Sequence, residues 1–193
     1  MTEIIKPGNG LLYMKVGKHA GESLEDIIRR KTREIEEAGF ALWGYGGNTC
    51  HPLSMVQPFA RDYVRRGHTI YLCMEPMDSR HLAPQVRASE FSADGLRWES
   101  IPPTINVLGS RYALRIADLH HEEFELPLSE TKVAIGNNLG KRGDSYVMGR
   151  VDKACLEVLS APEAATGRPA VTKHIGLVAR LVDPYAVFVR NSP

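Results

Sequence analysis

The chain has 193 residues, 43% hydrophobic and 24% charged, and its 24 basic and 23 acidic side chains leave a net charge of +1. Such a composition suits a folded chain able to bury roughly 70% of the surface it exposes when unfolded, and it argues against disorder except at the ends. The charge balance excludes a uniformly basic surface of the kind that tracks a long nucleic-acid backbone phosphate by phosphate.

Cys50, Cys73 and Cys155 are far apart and lack Cys-x-x-Cys spacing. They point to reduced thiols rather than to a zinc ribbon or a disulfide framework. The first ten residues contain Glu3 and Pro7 but no basic stretch leading into an apolar one. No apolar run approaches the ~20 residues needed to cross a bilayer. The expectation is one cytoplasmic domain spanning residues 1–193, without a membrane partner and without a cofactor or metal motif.

In chain order, residues 11–16 alternate as a strand does, and a helix follows over 24–38. Ser23 is its N-cap, with Asp26 three residues on completing a partial capping box. Leu24, Ile27, Ile28, Ile35 and Ala38 form its apolar stripe. Glu25/Arg29, Asp26/Arg30, Arg30/Glu34 and Arg33/Glu37 are acid–base pairs four apart on its other faces. Gly39 sits where a left-handed C-terminal cap belongs. Residues 40–45 read as a strand entering a glycine turn, and 54–66 as a helix stopped by Gly67, with Pro58 near its first turn. Residues 69–74 have the composition of a buried strand.

The middle of the chain reads as antiparallel. Segments 87–92 and 96–101 flank Ala93-Asp94-Gly95, a hairpin turn, and Pro102-Pro103 ends the excursion. Residues 112–119 alternate as a strand, and 124–126 form a shorter one. Residues 145–148 read as extended. Residues 151–159 read as a helix because Val151, Cys155 and Leu159 recur four apart. A flexible loop at 160–169 precedes two strands, 175–182 and 185–190, that turn around Asp183-Pro184.

The total is roughly eight strands with two or three helices, an α/β chain leaning towards α+β. The expected architecture is a mixed, strongly curved sheet or a partly closed β-barrel with helices packed on it. Over residues 67–136 the order of elements is similar to that of the PUA and ASCH-like barrels. That resemblance implies a module for RNA or a modified base.

Chemistry concentrates in two glycine-rich segments. The first, Gly44-Tyr45-Gly46-Gly47-Asn48-Thr49-Cys50-His51-Pro52, links a strand to a helix, where backbone N–H groups and the helix dipole favour an anion. Asn48, Thr49 and His51 add hydrogen-bonding side chains, and Trp43 or Tyr45 offers a ring for a base to stack on. The closing Gly-Lys-Ser/Thr of a nucleotide-binding P-loop is absent, as is Gly-x-Gly-x-x-Gly. The competing reading is a tight connection whose glycines only relieve the backbone. The second segment is Gly136-Asn137-Asn138-Leu139-Gly140-Lys141-Arg142-Gly143-Asp144, with Arg150 and Lys153 soon after. Its amides and cations suit phosphate or carboxylate, and its alternative is a solvated surface hairpin.

Other candidates are less specific. Cys50 beside His51 suggests a nucleophile and base, although adjacent side chains usually point apart. His120-His121-Glu122-Glu123 has metal-binding residue types, but neighbours in a strand face opposite sides. His68-Thr69 lacks the second His-x-Thr/Ser of a two-histidine phosphoesterase, since His174 precedes Ile175 and Gly176. Asp118, Asp152 and Asp183 cannot be paired by spacing. Trp98, Tyr112 and Tyr146 read as core aromatics before platforms.

The leading expectation is a binding protein for a nucleotide or similar anionic, base-containing small molecule that it senses or sequesters. Gly46, Gly47 and Asn48 would hold the anion, Lys141, Arg142 or Arg150 would neutralise it, and Trp43 or Tyr45 would stack on the base. One alternative is a hydrolase or transferase acting on such a ligand through His51 and Cys50. The other is the PUA/ASCH-like module.

Overall fold

A computed structural model describes residues 3–17, 22–46, 51–78, 86–108, 110–148, 151–164, 167 and 169–191. The first elements are β1 (Gly10–Gly17), α1 (Leu24–Ala38), β2 (Ala41–Gly44), α2 (Leu53–Arg65) and β3 (Tyr71–Met77). The middle holds β4 (Glu90–Ser92), β5 (Glu99–Ser100), β6 (Tyr112–Ile116), β7 (His120–Pro127), a 3-10 turn at Leu128–Glu130 and β8 (Thr131–Val133). The chain continues with α3 (Gly143–Tyr146), β9 (Lys153–Val158), α4 (Ala161–Ala164) and β10 (Thr172–Arg190). Among the described residues no helix is long and apolar enough to cross a membrane.

The ten strands among the described residues form one mixed sheet that does not close into a barrel: seven run in the order β2-β6-β10-β3-β1-β9-β8, β4 and β7 pair with β10 off this path, and β5 pairs with β4. β1 and β3 run parallel, joined by the crossover through α1, β2 and α2. The remaining pairings are antiparallel. β10 is the spine: its first half pairs with β7 and β3, and its second half with β6 and β4. Its register shifts between Ile175 and Leu177 and again between Leu181 and Ala186, where Tyr185 has φ +70°. Irregularities of this kind bend and twist a strand, so they account for the curvature.

Alternation across the pleat builds separate cores on the two faces. Leu12, Val16, Leu72, Met74, Leu177 and Ala179 face α1 and α2 together with Trp43, Tyr45 and Tyr112. Leu11, Tyr13, Cys73, Ile175 and Val178 face a second core with Phe124, Leu126 and Val147. A third cluster joins Phe40, Leu42 and Phe91 to Ile105, Val107 and Val187.

The caps expected for α1 form, as do the pairs Arg30/Glu34 at 3.7 Å and Arg33/Glu37 at 2.7 Å, whereas Arg29 pairs with Asp26, Arg30 also with Glu22, and Glu25 lies 3.7 Å from His121. Ser23 Oγ accepts from the Asp26 N–H at 3.1 Å, Asp26 Oδ2 accepts from the Ser23 N–H at 3.2 Å, and Gly39 has φ +83°. Inside the helix, though, Lys31 and Glu34 are buried (4% and 1% exposed) rather than solvated. Lys31 Nζ donates to Glu34 at 2.9 Å and to the Leu42 and Asn106 carbonyls at 2.7 Å each. Burial pulls its ammonium down to about 8, against the pull of Glu34. The pair ties α1 to β2 and to the 102–108 segment.

Several elements differ from expectation. Residues 151–159 contain a strand, β9, rather than a helix, because a spacing of four fits a strand's period of two as well as a helix's 3.6. Lying between β1 and β8, β9 is buried on both faces, with Cys155 in the first core and Leu156 in the second. Residues 145–148 are not extended; 143–146 make the single turn of α3. The two final strands are one continuous bent strand, β10. The hairpin at 93–95 is present with shorter strands, its turn held by Asp94 Oδ1 accepting from the N–H groups of Leu96 and Arg97.

Candidate functional site

The two glycine-rich segments, about ninety positions apart in the chain, meet in the fold. His51 stands just before α2, and its ring packs on Gly136: a Cβ built on that glycine would lie 2.5 Å from His51 Cε1 and 3.1 Å from Nδ1. Only a residue without a side chain permits this approach, and φ +80° at Gly136 favours glycine for a second reason. The His51 carbonyl accepts from the Tyr112 hydroxyl, which fastens the start of α2 to β6. His51 Nε2 is buried and has no hydrogen-bond partner among the described residues. Burial holds the imidazole below its ordinary pKa, because removing the ring from water disfavours its charged form.

The second segment is an ordered hairpin. Val133 N–H donates to the Lys141 carbonyl at 2.7 Å and Gly140 N–H to the Val133 carbonyl at 2.8 Å. Asn137, Asn138, Leu139 and Lys141 are exposed at its tip. Arg142 is turned inward: its guanidinium donates to the Ser129 carbonyl and lies 3.3 Å from Asp144. It braces the hairpin base and is not the free cation expected. Gly143 begins α3 against β8, where a Cβ would lie 1.9 Å from Thr131 Oγ1.

Three expectations for the first segment change. Trp43 and Tyr45 are core residues, 7% and 2% exposed, so neither presents a face for a base. The Trp43 indole donates to Met14 Sδ at 3.3 Å, and Tyr45 packs on Tyr112 at 6.0 Å with Lys153 Nζ 5.5 Å from its ring centre. Gly46 N–H donates to the Tyr112 carbonyl at 2.9 Å, so it is engaged in the sheet and not available to an anion. Its missing side chain makes room for Tyr112, whose ring a Cβ would meet at 2.5 Å. Gly47, Asn48, Thr49, Cys50 and Arg150 lie outside the described residues.

Beside Gly136 lies a cleft of about 510 Å³ between α2 and the hairpin. Sequence reasoning missed it. Its signal was the run Met55, Pro58, Phe59, Asp62, Tyr63 and Arg66, which share one face of α2.

The other candidates do not converge. His120 pairs with Glu122 at 3.1 Å and His121 lies 3.7 Å from Glu25, and no metal-competent group of three ligands occurs among the described residues. His68 Nδ1 meets Asn9 Oδ1 at 2.8 Å, and His174 Nδ1 meets Glu125 at 2.9 Å on the surface. Trp98 stacks under Arg190 at 3.8 Å. Cys73 is buried, and burial pushes its thiol well above the ordinary value, so it is no nucleophile.

The chain matches no protein-family model, no curated protein and no solved structure. Its functional reading therefore rests on the site's own chemistry.

Proposed function

We propose that the chain binds a compact anionic, nucleotide-like ligand where the residues leading into α2 meet the 133–141 hairpin. The observation that carries this reading is His51, whose buried Nε2 has no partner among the described residues and whose ring is held against Gly136, where the two glycine-rich segments meet. A buried polar atom left without a partner is costly, and a ligand oxygen or an ordered water relieves that cost. Exposed Asn137, Asn138 and Lys141 on the hairpin supply further donors. Reduced, buried Cys73 and Cys155 suit a cytoplasmic setting.

The test is thermal stability across a nucleotide panel. A ligand at about 100 times its Kd stabilises by about 2.7 kcal/mol, which is about 5–10 °C for a chain of this size. The His51→Ala variant should lose the shift. A wild-type protein unmoved by every nucleotide refutes the reading.

A second reading, a hydrolase or transferase, is favoured by the burial of the His51 ring, which lowers its pKa and so favours the form in which an imidazole acts as a general base. Turnover of the bound ligand that His51→Ala abolishes while affinity persists would establish it. A polymer ligand of the PUA/ASCH kind would instead show a steep loss of binding with salt.

A further inference from the structure

Resting on the anion site just proposed, the remaining question is where the uncharged part of the ligand sits. Trp43 and Tyr45 are walled into the core, so a base must be held elsewhere. The α2–hairpin cleft shares Gly136 with His51, and its volume of about 510 Å³ suits a small molecule. Met55, Pro58 and Phe59 form one wall and Ile135 and Leu139 the other, with Leu139 66% exposed although apolar.

The polar groups of the cleft are balanced. Glu157 accepts from the Tyr63 hydroxyl and lies 3.3 Å from Lys132 Nζ, while Arg66 meets Asp62 at 2.6 Å and lies 4.1 Å over the Tyr63 ring. Two acids face two bases, so the cleft has no net attraction for an anion and suits an uncharged body. A carboxylate has about four acceptor sites, and the two donors to Glu157 leave it capacity for N–H groups from a ligand.

We propose that this cleft is a nucleobase subsite selective for amino-bearing bases, with the phosphates lying towards His51 and the hairpin. The apolar walls take the faces of the ring, and the carboxylate of Glu157 takes its exocyclic amine. Adenine, guanine and cytosine carry that amine, whereas uracil does not.

Calorimetric titration of the full chain with ADP, CDP, UDP and inorganic pyrophosphate tests this. ADP and CDP should bind about tenfold tighter than UDP, the discrimination typical of one good base-edge contact. Leu139→Asp, at an exposed position, should weaken ADP about tenfold and leave pyrophosphate within about twofold. Equal affinity for ADP, CDP and UDP overturns the subsite while leaving the anion site standing. So does a Leu139→Asp variant that binds ADP as the wild type does. Failure of all four probes to bind the wild type overturns both.

Discussion

Replacing Gly136 by alanine probes the joint between the two glycine-rich segments. The structure supplies its own control in Gly140, which has nearly the same backbone conformation, φ +84° against +80°, but nothing within 4 Å of a built Cβ. Gly140→Ala therefore carries only the left-handed backbone cost, about 1–2 kcal/mol. Gly136→Ala carries that cost and also drives a methyl to 2.5 Å from His51 Cε1. Overpacking of this sort costs about 1–3 kcal/mol, for a total of about 2–5 kcal/mol. Urea unfolding of the two variants should differ by that second component. In a His51→Ala background the three contacts nearest the methyl are gone, and most of the difference should vanish. Equal destabilisation by the two alanines in the wild-type background would refute the contact.

Because burial lowers the His51 pKa, the unfolded chain takes up a proton below about 6.5 that the folded chain resists. Wild-type stability should thus fall more steeply than that of His51→Gln as pH drops from 7 to about 5, and the His51 titration midpoint by NMR should lie below 6.5. Lys31→Met takes the nearer cation from buried Glu34, which keeps the Arg30 guanidinium at 3.7 Å and the Asn106 N–H at 3.0 Å, and should cost about 2–4 kcal/mol in urea unfolding. Adding Glu34→Leu should cost less than the sum of the single changes, and strict additivity would contradict the coupling. Asn9 Nδ2 donates to the carbonyls of Glu3 and Ile4, so its Oδ1 accepts from His68, which places a proton on Nδ1. Nitrogen-detected NMR should show that tautomer, and Asn9→Ala should release it.

Local signals were legible where the chemistry is local. The Ser23–Asp26 capping box and Gly39 bracket α1 because each acts through bonds spanning a few residues. Periodicity failed where two periods coincide: Val151, Cys155 and Leu159 fit helix and strand alike, and only pairing with β1 and β8 decides for β9. Lys31 and Glu34 look like any surface ion pair until the 102–108 segment covers them. Both glycine-rich segments were visible, but their meeting was not, since nothing near residue 51 encodes a contact with residue 136. The same holds for Trp43, Tyr45 and Gly46, whose roles follow from the return of β6 across β2.

The most direct test of ligand binding at the His51–Gly136 joint is native mass spectrometry of the purified chain equilibrated with ADP. The proposed function predicts one ADP per wild-type chain and its loss in His51→Ala. A wild-type chain that carries no ADP, or a His51→Ala chain that retains it unchanged, would contradict the account.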